Sequence, residues 1–248
     1  MTRLAPGIHR IGNGLANSYL LEESGEITIV DTGVSGYWAD LPGELAAMGR
    51  SMEDVRAVVL THAHSDHVGF AERIRRERGV TVRVHELDAK LARGEETPAG
   101  QSLGGLRPGP LLRFVVYMLT HGGFRITPIA EVSTFGDGAT LDVPGAPRVI
   151  HLPGHTAGSA ALHVRSRDTL FIGDAFVTLH VLTGETGPLI SPFTADTAMA
   201  LESLSRLEGV EAGLVLPGHG EPWTEGVGEG VRLTRRRAGS AAAAKRSI

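Results

Sequence analysis

The chain has 248 residues, 42% of them hydrophobic, and a formal net charge of -4; that suits one sizeable domain and gives no global electrostatic case for nucleic acid or an anionic membrane. It contains no cysteine, which excludes disulfides, thiolate ligands and a Cys nucleophile, so any metal must be held by nitrogen and oxygen. Residues 1–7 lack the apolar core of a signal peptide and no apolar run reaches the roughly 18 residues of a membrane span, so a soluble, cytoplasmic protein is expected.

Taken in order, Ile8–Ile11 and Asn17–Leu21 pattern as short strands joined by Gly12-Asn13-Gly14, and Glu26–Val30 as a third that ends in Asp31-Thr32-Gly33. Alone, that ending is an ordinary turn; beside a metal, its carboxylate would orient a ligand. Trp38–Met48 patterns as a helix interrupted near its start by Pro42. Val55–Leu60 is β-branched and apolar, a buried strand, and Val68–Arg76 has the spacing of a helix. Between them lies Thr61-His62-Ala63-His64-Ser65-Asp66-His67, three imidazoles and a carboxylate within six positions. These are the donors that a borderline divalent cation prefers, on a strand-to-helix turn, with Asp66 and His67 expected at the helix start.

Val80–Val84 continues an alternation of strands and helices that argues for a layered α/β protein. Residues 93–110 are broken by Gly and Pro and are expected to form a long loop. The apolar stretch 111–119 follows, either a core or interface helix or a hydrophobic wall over a substrate cleft. Strands are expected at 131–135, 139–143 and 148–152, the last leading into Pro153-Gly154-His155-Thr156-Ala157-Gly158. Further strands at 160–164 and 169–172 lead to Gly173-Asp174-Ala175. A helix over 196–207 precedes a strand at 213–216 that delivers Pro217-Gly218-His219-Gly220. The Arg235–Arg237 run is expected on a solvated helix end or frayed terminus.

Five segments thus carry DTG, THAHSDH, PGHTAG, GDA and PGHG in this order. In that order they resemble the metallo-β-lactamase superfamily, over roughly residues 8 to 223. The resemblance implies an αββα sandwich: two mixed β-sheets face to face with helices on the outer faces. It implies one domain over 1–227, with an insertion at about 86–130 and a basic tail at 228–248. His62, His64 and His155 would hold one metal, and Asp66, His67 and His219 a second. Asp174 would bridge both, with Asp31 supporting from behind. Two divalent ions are expected, zinc first, with manganese or iron also compatible. They would activate a bridging hydroxide against a carbonyl, with Asp66 as acid/base.

Within the family, the Asp174 position and the lack of a Cys ligand look more like the lactonase and glyoxalase II groups than true β-lactamases. Only about 25 residues follow Trp223, too few for the helical extension of glyoxalase II. The expected activity is hydrolysis of a small-molecule ester, lactone or thioester. The alternatives are a β-lactam hydrolase, an iron-dependent oxygenase resembling persulfide dioxygenases, or a noncatalytic metal-stabilised protein. Tyr37, Tyr117 and His180 are candidate substrate contacts. His9, His85, His121, His151 and His163 fit structural or surface roles. No nucleic-acid partner is expected, and the 111–119 segment leaves room for a homodimer.

Overall fold

The structure, a computed structural model, describes residues 2–100, 102–125 and 127–246, with side chains described as far as residue 240. Strands β1 (Thr2–Ala5), β2 (Ile8–Gly12), β3 (Asn17–Glu23) and β4 (Glu26–Val30) form an antiparallel meander. β5 (Val55–Val59), β6 (Thr81–His85) and β7 (Ser133–Phe135) extend it in parallel, giving a seven-stranded mixed sheet in sequential order. The intervening helices are α1 (Tyr37–Ala47), α2 (Ala71–Arg78), α3 (Ala89–Ala92) and α4 (Pro108–Thr120).

The second half supplies β8 (Arg148–His151), β9 (Ala160–Val164), β10 (Thr169–Gly173), the ribbon β11 (Val177–Leu179) and β12 (Thr186–Leu189), and β13 (Leu214–Pro217). Its four-stranded sheet runs β13-β10-β9-β8. Helices α5 (Thr197–Ser203) and α6 (Val227–Arg246) follow in this half.

Period-two alternation sorts the side chains into three apolar layers. Tyr19, Leu21, Leu162, Val164, Phe171 and Leu216 point between the two sheets, where the Tyr19 and Phe171 rings meet edge to face at 5.5 Å. Leu20, Ile27 and Ile29 point outward against Leu41, Leu45, Phe70 and Ile74 of the α1 and α2 region. Ala161, Leu170, Ile172 and Val215 face Leu204, Leu207, Val227 and Val231 on the opposite outer side. Helix layer, sheet, sheet, helix layer: the αββα sandwich is what this alternation builds.

Several local expectations change. β1 and the β11–β12 ribbon are extra strands, too short to show a pattern in the sequence. α1 runs through Pro42 because Tyr37, Leu41 and Leu45 are buried on one face. α2 starts only at Ala71, so Asp66 and His67 sit in turns before the helix. Residues 139–143 form no strand: the turn through Pro144 and Gly145 folds the chain back, leaving one isolated bridge from Thr140 to Arg148. α4 begins at Pro108, three residues inside the expected loop, since proline in a first helical turn forfeits no hydrogen bond. Arg235 and Arg237 lie within α6 and donate to the carbonyls of Leu201 and Thr186.

Candidate metal centre

The segments bearing Asp31, His62 to His67, His155, Asp174 and His219 follow strand ends at one edge of the sandwich. Asp31 N–H bonds to Val59 O at 3.0 Å, and Gly218 N–H to Gly173 O at 2.9 Å, locking neighbouring strand ends together. Ala160 N–H to Thr61 O and Asn17 N–H to Gly218 O, both 2.9 Å, join the two sheets at that edge. Asp31 itself is held at φ +55°, left-handed backbone that a non-glycine residue adopts at some cost, as at many functional sites.

The seven residues His62, His64, Asp66, His67, His155, Asp174 and His219 converge. Ligand atoms of His62, His64 and His155 lie within 4.8 Å of one another, as do those of Asp66, His67 and His219, and those of His62, His67 and Asp174. Asp174 Oδ2 lies 3.4 Å from His155 Nε2 and 3.3 Å from His219 Nε2, and its Oδ1 lies 3.7 Å from His67 Nε2. One carboxylate therefore touches both groups. Asp66 Oδ2 lies 3.4 Å from His219 Nε2.

The outer hydrogen bonds fix which nitrogen each ring presents. His67 Nδ1–H donates to Asp31 Oδ2 at 2.9 Å, and His219 Nδ1–H to Leu15 O at 2.6 Å. The Thr61 hydroxyl donates to Asp31 at 2.8 Å, so it accepts from His62 Nδ1 at 3.1 Å. Thr194 likewise gives its proton to Ser191 O and accepts from His155 Nδ1 at 3.1 Å. Four imidazoles so turn Nε2 toward the centre, whereas His64 presents Nδ1, 2.9 Å from His155 Nε2.

Burial pushes the His62 and His155 pKa values well down, so both rings are neutral. Burial also opposes charge on His67, but Asp31, Asp174 and Asp66 outweigh it and push that ring up to about 10. His219 is raised, its burial outweighed chiefly by Asp174. The Asp174 carboxyl is buried too, yet His219, His155 and His67 hold it well below the usual range, so it is ionised.

Whether this set suits metal ions can be judged from its orphaned atoms. Among the described residues, His62 Nε2, His67 Nε2 and Asp174 Oδ1 are buried without a hydrogen-bond partner, and all three aim into the cluster. Buried polar atoms seldom go unpaired, and neutral imidazole nitrogens around a shared carboxylate are suitable donors for a cation. The donor set fits a divalent metal.

The other candidates are not among these ligand groups. Tyr37 is in the core beneath α4, its hydroxyl donating to Ala16 O at 2.7 Å and accepting from Tyr117. Tyr117 is buried, and both burial and Asp66 raise its pKa, to about 12. His180 lines a separate cavity of about 680 Å³ with Ser102, Glu185 and Arg237. His85 and His151 stack on each other at 4.2 Å, and His121 stacks on Tyr117.

Asp88 is the residue that sequence reasoning missed. Buried just beyond β6, it accepts from Ala63 N at 3.0 Å, Thr156 Oγ1 at 2.8 Å and Gly158 N at 2.7 Å. It straps the His62–His67 turn to the loop carrying His155. The available signal was a carboxylate shortly after a strand end, the place where Asp31 also stands.

A cavity of about 510 Å³ opens onto this centre at His64 and Asp66, lined by Leu91, Phe114, Met118, Phe124 and Phe193. Its walls are mostly apolar, with Glu96 and Thr97 as polar lining besides the ligand end.

Residues 11–219 match the sequence profile of the Metallo-beta-lactamase superfamily. The chain is 27% identical over 237 residues to the probable metallo-hydrolase YflN of Bacillus subtilis, spanning 89% of this chain and 86% of that one. It is 28% identical over 218 residues to the human acyl-coenzyme A thioesterase MBLAC2, spanning 82% and 72%. Among solved structures, the metallo-beta-lactamase family protein TTHA1429 from Thermus thermophilus is similar with a TM-score of 0.69 at 26% identity, covering 96% of this chain and 81% of that one.

Proposed function

The chain belongs to the metallo-β-lactamase superfamily and is a hydrolase of that family, and we propose that it cleaves a small-molecule thioester, ester or lactone with a hydrophobic acyl part, using two divalent ions. The observation that carries this is the apolar cavity ending at His64 and Asp66. A chain of methylenes gains there about 0.8 kcal/mol for each one buried, which favours an acyl substrate over a polar one. The thioesterase activity named for the human relative agrees with it.

His62, His64 and His155 would hold one ion and Asp66, His67 and His219 the other, with Asp174 shared. When bound, the ions polarise the scissile carbonyl and bring the pKa of a water toward neutrality. Asp31, Thr61, Thr194 and the Leu15 carbonyl keep the imidazoles in the tautomers that leave ligand nitrogens bare. Asp66 alone of the seven is partly exposed and borders the cavity, so it is the group placed to pass a proton to the leaving atom. Phe114, Met118 and Phe193 hold the acyl chain and exclude water around it. Zinc suits the nitrogen-rich set, in a soluble enzyme that meets its substrate without a nucleic-acid partner.

A series of acyl thioesters of increasing chain length tests this. kcat/KM should climb about fourfold per added methylene until the cavity is filled. A flat series, or faster turnover of β-lactams than of any thioester, ester or lactone, would refute it.

A further inference from the structure

Among the described residues, six of the eight large apolar side chains left exposed fall within one stretch: Leu103, Leu106, Leu112, Val116, Leu119 and Phe124. Helix α4 explains half of them. It buries Phe114, Tyr117 and Met118 on its inner face, while Leu112, Val116 and Leu119, at i, i+4 and i+7, form a second apolar stripe facing away from the protein. Monomeric surfaces seldom leave such a stripe uncovered.

The charge around the stripe says what covers it. Residues 97–130 contain Arg107, Arg113 and Arg125 and no Asp or Glu, inside a chain whose net charge is -4. Arg107 is paired with Glu185 at 3.1 Å, whereas Arg113 and Arg125 are exposed and make no ion pair among the described residues. A second copy docked here across a two-fold axis would set Arg113 and Arg125 against their own images, with no acid in the segment to neutralise them. An anionic bilayer surface is complementary in both respects: hydrocarbon for the leucines, phosphate for the arginines.

We propose that the outer face of α4 docks on anionic membranes. Leu112, Val116 and Leu119 enter the acyl boundary, and Arg113 and Arg125 meet the headgroups. Phe124 is exposed beside this face and also lines the cavity that ends at His64 and Asp66. Docking would therefore bring the cavity mouth to the membrane, where a bilayer-borne acyl chain can enter. That delivery rests on the acyl-hydrolase proposal above; the docking does not.

The test is sedimentation of the full chain with vesicles of phosphatidylcholine alone or with about one third phosphatidylglycerol. The wild type should pellet with the anionic vesicles and release at high salt. Two variants, Leu112→Ser/Val116→Ser/Leu119→Ser and Arg113→Glu/Arg125→Glu, should each bind at least about tenfold more weakly, with turnover of a short soluble thioester unchanged. A wild type that stays in the supernatant, or variants that pellet as it does, would overturn the proposal. So would a dimer in analytical ultracentrifugation that the triple variant dissolves without any vesicle binding by the wild type. Vesicle binding does not use hydrolysis, so the docking face and the acyl-hydrolase proposal fail separately.

Discussion

The carboxylate of Asp31 accepts the Nδ1–H of His67 at 2.9 Å, with both side chains buried. The same carboxylate takes the backbone N–H of Thr61 at 2.7 Å and its hydroxyl at 2.8 Å. One residue at the end of β4 thus orients the ligand turn at the end of β5, and through Thr61 it also orients His62. An outer partner of this kind typically accounts for 10- to 100-fold in metal affinity.

Asp31→Asn should accordingly weaken zinc binding by about 10- to 100-fold, because an amide NH₂ facing Nδ1 selects the tautomer with its proton toward the centre. Competition with a chromophoric chelator measures it. Unchanged affinity would remove Asp31 from the account.

Asp88→Ala strands two buried donors, the N–H groups of Ala63 and Gly158, while the Thr156 hydroxyl keeps Ser159 as a partner. At about 1–3 kcal/mol for each unsatisfied group, the metal-free protein should lose about 2 kcal/mol or more in urea unfolding. A loss under about 1 kcal/mol would mean that the strap between the two ligand loops bears little strain.

Gly218 has a reason to be glycine. A Cβ there would sit 2.1 Å from Asp174 Oδ1 and 2.6 Å from His67 Cε1. Gly218→Ala should therefore displace Asp174 and cut metal content well below that of the wild type, as elemental analysis would report. Gly69→Ala, whose Cβ meets the backbone of Val34 at 2.3 Å, should act on stability instead.

Loading the metal should release protons. His67, raised to about 10, is protonated at pH 8 in the metal-free protein and must lose that proton to bind, whereas His62 and His155 are already neutral. Zinc titration calorimetry in buffers of different ionisation enthalpy should show about one proton from His67, plus a contribution from His219. Because the folded pKa of His67 lies above its unfolded value, its pairing with Asp31 stabilises the metal-free protein fully below about pH 6.5. That contribution is lost as pH rises through about 10.

The convergence of the candidate donors was legible because chemistry-bearing residues cluster where β-branched runs end, and loops at strand ends are where a rigid sheet holds such groups. Period two in Tyr19, Leu20 and Leu21 carries the layering in the same way. What stayed hidden depends on partners distant in sequence. Asp88 looks like an ordinary residue until Thr156 and Gly158, some 70 positions on, fold onto it. The 139–143 stretch patterns as a strand, yet the turn at Pro144 and Gly145 decides otherwise. The outward stripe of α4 is invisible to periodicity alone, since the helix is apolar on both faces and only burial separates Phe114 from Leu112.

The most direct test titrates the metal-free protein with zinc while following hydrolysis of an acyl thioester. Activity should rise to saturation at about two ions per chain, and Asp174→Ala should lose about 100-fold or more at every loading. Absence of hydrolysis at any loading, or full activity in Asp174→Ala, would contradict a hydrolase built on two ions that share this carboxylate.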